Sequence, residues 1–402
     1  MRDTGPATAL RTLARRVEAA TPAGRDRGID ALRALAILGV VLGHWMVTAL
    51  VVDTGTVHGT SPLHAMPELA PLSWVLQTLA VFFMVGGHVG AQGYAAARAR
   101  GERYRDWLAA RLRRLSRPVA AVLLTWAAVG AAMLVAGVAP ATVSTLLKLV
   151  LSPLWFLLVF AGLTAATPLV MRLHPLWPLA VVMHVDLIRF GLGGPDQLGW
   201  INLGAGWLVP YCLGALWARG RIQPRNRRAT GLVLTAAGAT ATAGLVHLGG
   251  YPASMVGVPG AAVSNLNPPT LAAVCFGLAQ CGAALLLLGP LRRVLRRPLA
   301  WAAVALVNLS AMTVFLWHQT AMIAVTALGL FAGRPLPGLH TVPDGAGWVL
   351  ARLGWLPAFG CALLVCWGAF RVYEQGAART RAAGGLVVQR GSPARESEER
   401  RA

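Results

Sequence analysis

Arg33 and His44 are the two side chains in this sequence whose types and spacing most directly suggest chemistry. They lie in the apolar stretch IDALRALAILGVVLGHWMV, residues 29–47, with ten residues between them. On an α-helix, eleven steps make just over three turns, so both side chains share a face about 16 Å apart along the axis. If the stretch crosses a membrane, one face carries a fixed cation near the membrane edge and a titratable imidazole near mid-depth. Asp30, one turn before Arg33, is placed to orient the guanidinium. Polar side chains inside a bilayer are costly and are functional candidates by default.

Other residues of this kind are His88, the pair Asp186 and Arg189 one turn apart, Trp155, and His318 with Asn308, Ser310, Gln319 and Thr320 around it. His318 could assist His44 or orient a substrate. Asp186 and Arg189 read first as a structural ion pair. His58, His64 and His340 fall in loops and read as solvated. The five cysteines, Cys212, Cys275, Cys281, Cys361 and Cys366, form no CxxC pair and read as small core residues. No Cys, His, Asp or Glu spacing suits a metal, and none is expected.

The elements that must position these residues are transmembrane helices. Of 402 residues 56% are hydrophobic and only 13% charged, too much apolar surface for a water-soluble fold to hide. The net charge of +21 does not indicate nucleic acid, because the arginines cluster between apolar runs of membrane-crossing length. Lys148 is the only lysine among 36 Lys and Arg residues, which suggests a GC-rich, actinobacterial genome. Residues 1–29 are polar and do not form a signal peptide.

The expected fold is all-α and polytopic, with ten spans at about 31–52, 71–94, 117–138, 153–172, 175–191, 200–218, 229–249, 269–290, 310–332 and 348–371. The stretch 140–152 extends the fourth span or lies in the interface, and 298–309 reads as a short interfacial helix. Arginines crowd the N-terminal tail, the segment after span two and those after spans six and eight. The intervening segments 53–70 and 250–268 have no Lys or Arg, and 333–347 has only Arg334. This alternation puts both termini in the cytoplasm, with a tail at 1–29, a membrane domain at 30–372 and a disordered basic tail at 373–402.

Here the sequence resembles the acyltransferase-3 family of membrane O-acyltransferases. Asp30-Ala31-Leu32-Arg33, then ten residues to His44, is similar to the family's opening motif. Phe82-Phe83-Met84-Val85-Gly86-Gly87 resembles its FF-x-x-S-G segment, with Gly86 where the family usually has serine. Arg111-Leu112-Arg113-Arg114, with Pro118 close behind, resembles R-x-x-R-L-x-P. Leu154-Trp155-Phe156-Leu157 resembles W-F-L, and Phe315-Leu316-Trp317-His318 resembles Y-L-x-H. The pieces occur in the family's order and cover roughly residues 28–372.

The resemblance implies acyl transfer from a cytoplasmic acyl-CoA, acetyl by default, to a hydroxyl, usually of a sugar on a glycan, lipid-linked saccharide, peptidoglycan or secondary metabolite. The location would be the bacterial plasma membrane. A neutral imidazole can take the proton of an attacking hydroxyl, which makes His44 the candidate base, with Arg33 and His318 beside it. Arginine forks suit the CoA phosphates, which points to Arg33, Arg111, Arg113 and Arg114, with Trp155 along the acyl path. The outer loops 53–70, 250–268 and 333–347, rich in Gly and Pro, would select the acceptor and read as irregular. A transporter of a polar or lipid-linked solute and a noncatalytic scaffold are the alternatives. No repeated halves favour transport, and a scaffold predicts that His44 is dispensable. Oligomeric state is not legible.

Overall fold

The computed structural model describes residues 5–53 and 55–389. A short helix α1 (Pro6–Ala19) precedes α2 (Arg27–Val47), which carries Arg33 and His44. Asp26 caps α2 by accepting from the backbone N–H of Gly28 at 2.9 Å and of Ile29. Arg292, from the distant end of another helix, donates to the same carboxylate through Nε at 3.1 Å. Burial pushes the Asp26 carboxyl up, but Arg292 and the two N–H groups more than offset it and hold it below the usual range.

After α2 come a hairpin of β1 (Ala49–Asp53) and β2 (Thr56–Thr60), the short helices α3 (Pro62–Ala65) and α4 (Ala70–Leu76), then α5 (Leu79–Ala99) and α6 (Tyr104–Val135). Next are α7 (Pro140–Leu151), α8 (Leu154–Ala165), α9 (Thr167–Val170), α10 (Leu176–Asp186), α11 (Ile201–Ala218), α12 (Arg227–His247) and α13 (Leu271–Val294). The chain ends with α14 (Pro298–Leu309), α15 (Ala311–Gly329) and α16 (Ala346–Gln389). Among the described residues the hairpin is the only sheet.

Among the described residues nine helical stretches are long and apolar enough to cross a membrane. The expected fifth span is not among them, because it is α10 continued by a five-residue π-turn, Leu187–Gly191. It crosses nonetheless. At its start, Leu173 O accepts from Arg219, at the arginine-rich end of α11, at 3.5 Å. At its far end, Asp186 Oδ2 accepts from Leu271 N, where α13 begins, at 2.6 Å, and α13 returns to Arg292 and Asp26. The two ends therefore lie on opposite faces, and with this short segment the described residues make ten crossings.

Several expectations need correction. The first span ends at Val47, not 52, because the β-branched run Val51-Val52 pairs as a strand, Val51 opposite His58. The outer segment 53–70 is therefore ordered, not irregular. The arginines at 105–117 are not in a loop but on the first turns of α6, which runs through Pro118. Residues 140–151 join α8 in the fourth crossing, the first of the two alternatives for that stretch. The N-terminal segment is docked, since Trp301 of α14 donates to Thr21 at 2.7 Å. The α16 backbone stays helical past 373 to Gln389, where a disordered tail was expected; residues 390–402 lie outside the described residues.

Two close helix contacts set the frame around the site. Gly87 of α5 meets the Tyr211 carbonyl of α11, and Gly214 of α11 meets the Met84 carbonyl, so these helices pack backbone to backbone. Glu374 of α16 accepts from Met312 N and Thr313 N, at 3.1 and 3.0 Å, and so caps α15. That contact ties the end of the last crossing to the face where α2 begins.

Candidate active site

His44 stands three residues before the end of α2, against α15. Its ring centroid lies 5.0 Å from that of His318, the rings tilted by 49°. Gln319, the next residue of α15, places its side-chain amide 2.9 Å from His44 Nδ1. His318 is wholly buried, and its Nδ1 lies 2.6 Å from the Phe315 carbonyl. A carbonyl only accepts, so Nδ1 carries the proton and Nε2 is left bare. Among the described residues that Nε2 has no hydrogen-bond partner, and neither has Gln319 Oε1.

The neighbours hold this cluster firmly. Trp45 Nε1 donates to the His318 carbonyl at 2.9 Å, and Trp126 Nε1 donates to Thr320 Oγ1 at 2.9 Å. Trp317 stacks on Phe370 of α16 with centroids 3.6 Å apart. Arg352, a buried arginine of α16, donates to the carbonyls of Trp45 and Thr48 at 2.6 Å each and of Gly338 at 2.8 Å. It thereby closes the C-terminal end of α2 just beyond His44.

His44 opens on its other side into a cavity of about 530 Å³, a size suited to a small-molecule ligand. Trp155, Phe156 and Phe315 join it in the wall. The wall also includes Gly59 and Thr60 at the end of β2, Ser61, and Val256, Gly257, Pro259, Leu266 and Asn267 between α12 and α13, on the face away from the arginines. The loop 333–347 does not reach this cavity. It packs inward instead, with His340 buried and its Nε2 2.8 Å from the Thr326 carbonyl. His340 is thus not solvated; His58 and His64 are exposed as expected.

Arg33 lies at the other end of α2. It donates to Asn308 Oδ1 at 2.5 Å and to Asp30 Oδ1 at 3.1 Å, while Asn308 donates to the Asp30 carbonyl at 2.8 Å. Arg111 lies over the Trp107 ring at 4.9 Å. Arg114 shares its face of α6 and stands close enough to both Arg33 and Arg111 for their charges to repel. Arg113, two positions from Arg111, points elsewhere and is exposed.

The predicted residues therefore fall into two groups. Arg33, Arg111 and Arg114 gather at the arginine-rich face, and Arg113 stands apart from them. His44 and Trp155 line the cavity with His318 behind His44, so Trp155 belongs with His44, not with the arginines. Between the groups, Ile37 and Val41 lie on the α2 face joining Arg33 to His44, and both are buried. The stripe is closed in this conformation.

Two residues with no part in the site are accounted for structurally. His88 lies against Trp217, ring centroids 4.2 Å apart and planes tilted by 41°, away from the cavity. Asp186 lies 3.8 Å from Arg189 and accepts from Asn202 at 2.9 Å and Tyr251 at 3.1 Å, a structural pair. Arg352 escaped the sequence reading, although an arginine inside the last span was a signal in itself.

The family model described as an acyltransferase domain, that of the acyltransferase-3 family, matches residues 26–371. The chain belongs to this family. The match begins at the Asp26 cap of α2 and ends three residues before Glu374, so this acyltransferase coincides with the ten-crossing bundle. No curated protein and no solved structure matches it. The acyltransferase departs from the family's usual serine at Gly86, and packing explains why. A Cβ there would come within 2.5 Å of the Phe160 ring, which fills the space a serine side chain needs.

Proposed function

We propose that this membrane acyltransferase moves an acyl group, acetyl by default, from a cytoplasmic acyl-CoA to a hydroxyl of an acceptor held in the far-side cavity, in a bacterial plasma membrane. The observation that carries the reading is His44 in the cavity wall, backed by His318 and gripped by Gln319. In the reaction the acceptor oxygen attacks the thioester carbon while its proton passes to His44 Nε2. The carbon–sulfur bond then breaks, and the departing CoA thiolate takes up a proton.

For Nε2 to accept, Nδ1 must hold the ring's proton. Gln319 serves this with its amide oxygen toward Nδ1, a half-turn of the amide that also gives the otherwise unpartnered Oε1 a donor. His318, with its lone pair fixed by the Phe315 carbonyl, supplies an uncharged acceptor nitrogen beside the imidazolium that forms on His44. At the arginine-rich face, Arg33, Arg111 and Arg114 offer cations for the CoA phosphates. The thioester reaches His44 when the helices part along Ile37 and Val41. No step calls on a metal. The acceptor class is a carbohydrate, glycolipid or secondary metabolite.

Purified protein in nanodiscs with radiolabelled acetyl-CoA tests this reading. CoA release and label transfer are expected from the wild type, with a loss of at least about 100-fold in His44→Ala at unchanged folding. No release with acetyl, propionyl or longer donors overturns the reading. A fully active His44→Ala protein removes His44 from the chemistry.

A further inference from the structure

We infer that the acceptor carries an anionic group, a carboxylate or a phosphate, and that Lys148 pairs with it in the cavity. This rests on the acyl-transfer reading and names the substrate class of the same site.

Helix α7 presents Thr145, Lys148, Leu149 and Ser152 to the cavity, the i, i+3, i+4, i+7 stripe of one helical face. Its other face, Thr142, Val143, Leu146 and Val150, is buried in the bundle. Lys148 therefore lies in the cavity wall. It is the only lysine of a chain whose other fixed cations are all arginines. The cavity wall contains no Asp or Glu. Among the described residues no carboxylate lies within ion-pair distance of Lys148. Lys148 is exposed, so its ammonium is open to a ligand that enters the cavity, and an anionic ligand supplies the opposite charge that the wall lacks.

A second feature points to the rest of the ligand. Gln77 lines the same cavity, is only 6% exposed, and has Oε1 buried without a partner. A buried amide oxygen of this kind is satisfied by a donor brought in by the ligand, such as a sugar hydroxyl. The hydroxyls of Thr145 and Ser152 flank Lys148 and can serve either partner. A cation, a bare carbonyl-type acceptor and two hydroxyls around one space match a polyhydroxylated anion: an acidic sugar, or a saccharide joined to lipid through phosphate.

The test uses full-length protein in nanodiscs, radiolabelled acetyl-CoA and a lipid and glycan extract of the source cells, with the products passed over an anion exchanger. The labelled product is expected to be retained and to elute with salt. Partition between butanol and water then separates a lipid-linked phosphate from a soluble acidic sugar, and either supports the inference. With the retained fraction as varied acceptor, Lys148→Gln should raise the acceptor KM about 10-fold or more with a smaller change in kcat, and Lys148→Arg should restore most of it. Label in the neutral flow-through overturns the inference. So does CoA release without a retained product, or an acceptor KM unchanged in Lys148→Gln. No CoA release from the wild type with any donor is a different failure. It removes the acyl-transfer reading itself, and this inference with it.

Discussion

At the scale of residues, the cluster around His44 is held through one nitrogen of each imidazole, the Nδ1. The Gln319 amide lies against His44 Nδ1, and the Phe315 carbonyl fixes the tautomer of His318. Gln319→Leu keeps the volume but removes the amide, so kcat should fall about 100-fold while the donor KM changes little, as read by steady-state CoA release. Groups acting as a unit are not additive. The His44→Ala/His318→Ala double variant should therefore be no slower than His44→Ala alone; a further large loss in the double variant would show that the two imidazoles act independently. Arg33, His44 and His318 were legible in the sequence because a helical period and a costly location single them out. Lys148 and Arg352 were not. Their meaning depends on what they face, a cavity without carboxylates and three carbonyls around a helix end, and spacing along one helix carries neither fact. The pairing of Trp155 with His44 instead of the arginines was hidden for the same reason.

At the scale of elements, two contacts decide whether α2 and α5 can hold their places. Arg352 satisfies three buried carbonyls around the end of α2. Arg352→Met leaves them unpaired and should lower stability by about 3 kcal/mol, with activity falling alongside because His44 lies one residue before a bonded carbonyl. A thermal unfolding series in detergent checks this, and an unchanged midpoint would show that water replaces the guanidinium. On α5, Gly86 stands where the family usually has serine, and the Phe160 ring occupies the space. Gly86→Ser should lower the unfolding midpoint, and Phe160→Ala in the same chain should recover part of that loss. A stable single variant would mean that the ring turns aside freely. The helices themselves were legible from apolar length. Their ends were not: the first crossing stops at Val47 because a β-hairpin pairs beyond it, and α6 starts at Tyr104 because arginines with long apolar stems continue a helix as readily as a loop.

At the scale of the whole molecule, the question is whether the two ends of the bundle lie on one side of the membrane. Nine long apolar helices alone would put them on opposite sides. The contacts argue otherwise: Glu374 caps α15 beside the Arg33–Asn308 pair, which joins the end of the last crossing to the start of the first. The sequence indicated this parity through its alternating arginines, a pattern that depends on side of the membrane and not on helix length. The tenth crossing is the short one, α10 with its π-turn, anchored by Arg219 near Leu173 and by Asp186 at Leu271 N. Single cysteines on either side of it decide the matter, introduced with Cys361 replaced by serine. His174→Cys and Pro195→Cys are both exposed positions, one before and one after the segment. In intact cells a membrane-impermeant maleimide should label Pro195→Cys and leave His174→Cys unlabelled until the cells are opened. Equal labelling of both from outside would mean that the segment does not cross. It would also put the arginine-rich ends of α6 and α11 on different sides of the membrane, which the bond from Arg219 to the Leu173 carbonyl and that from Tyr104 to the Ala165 carbonyl do not allow together.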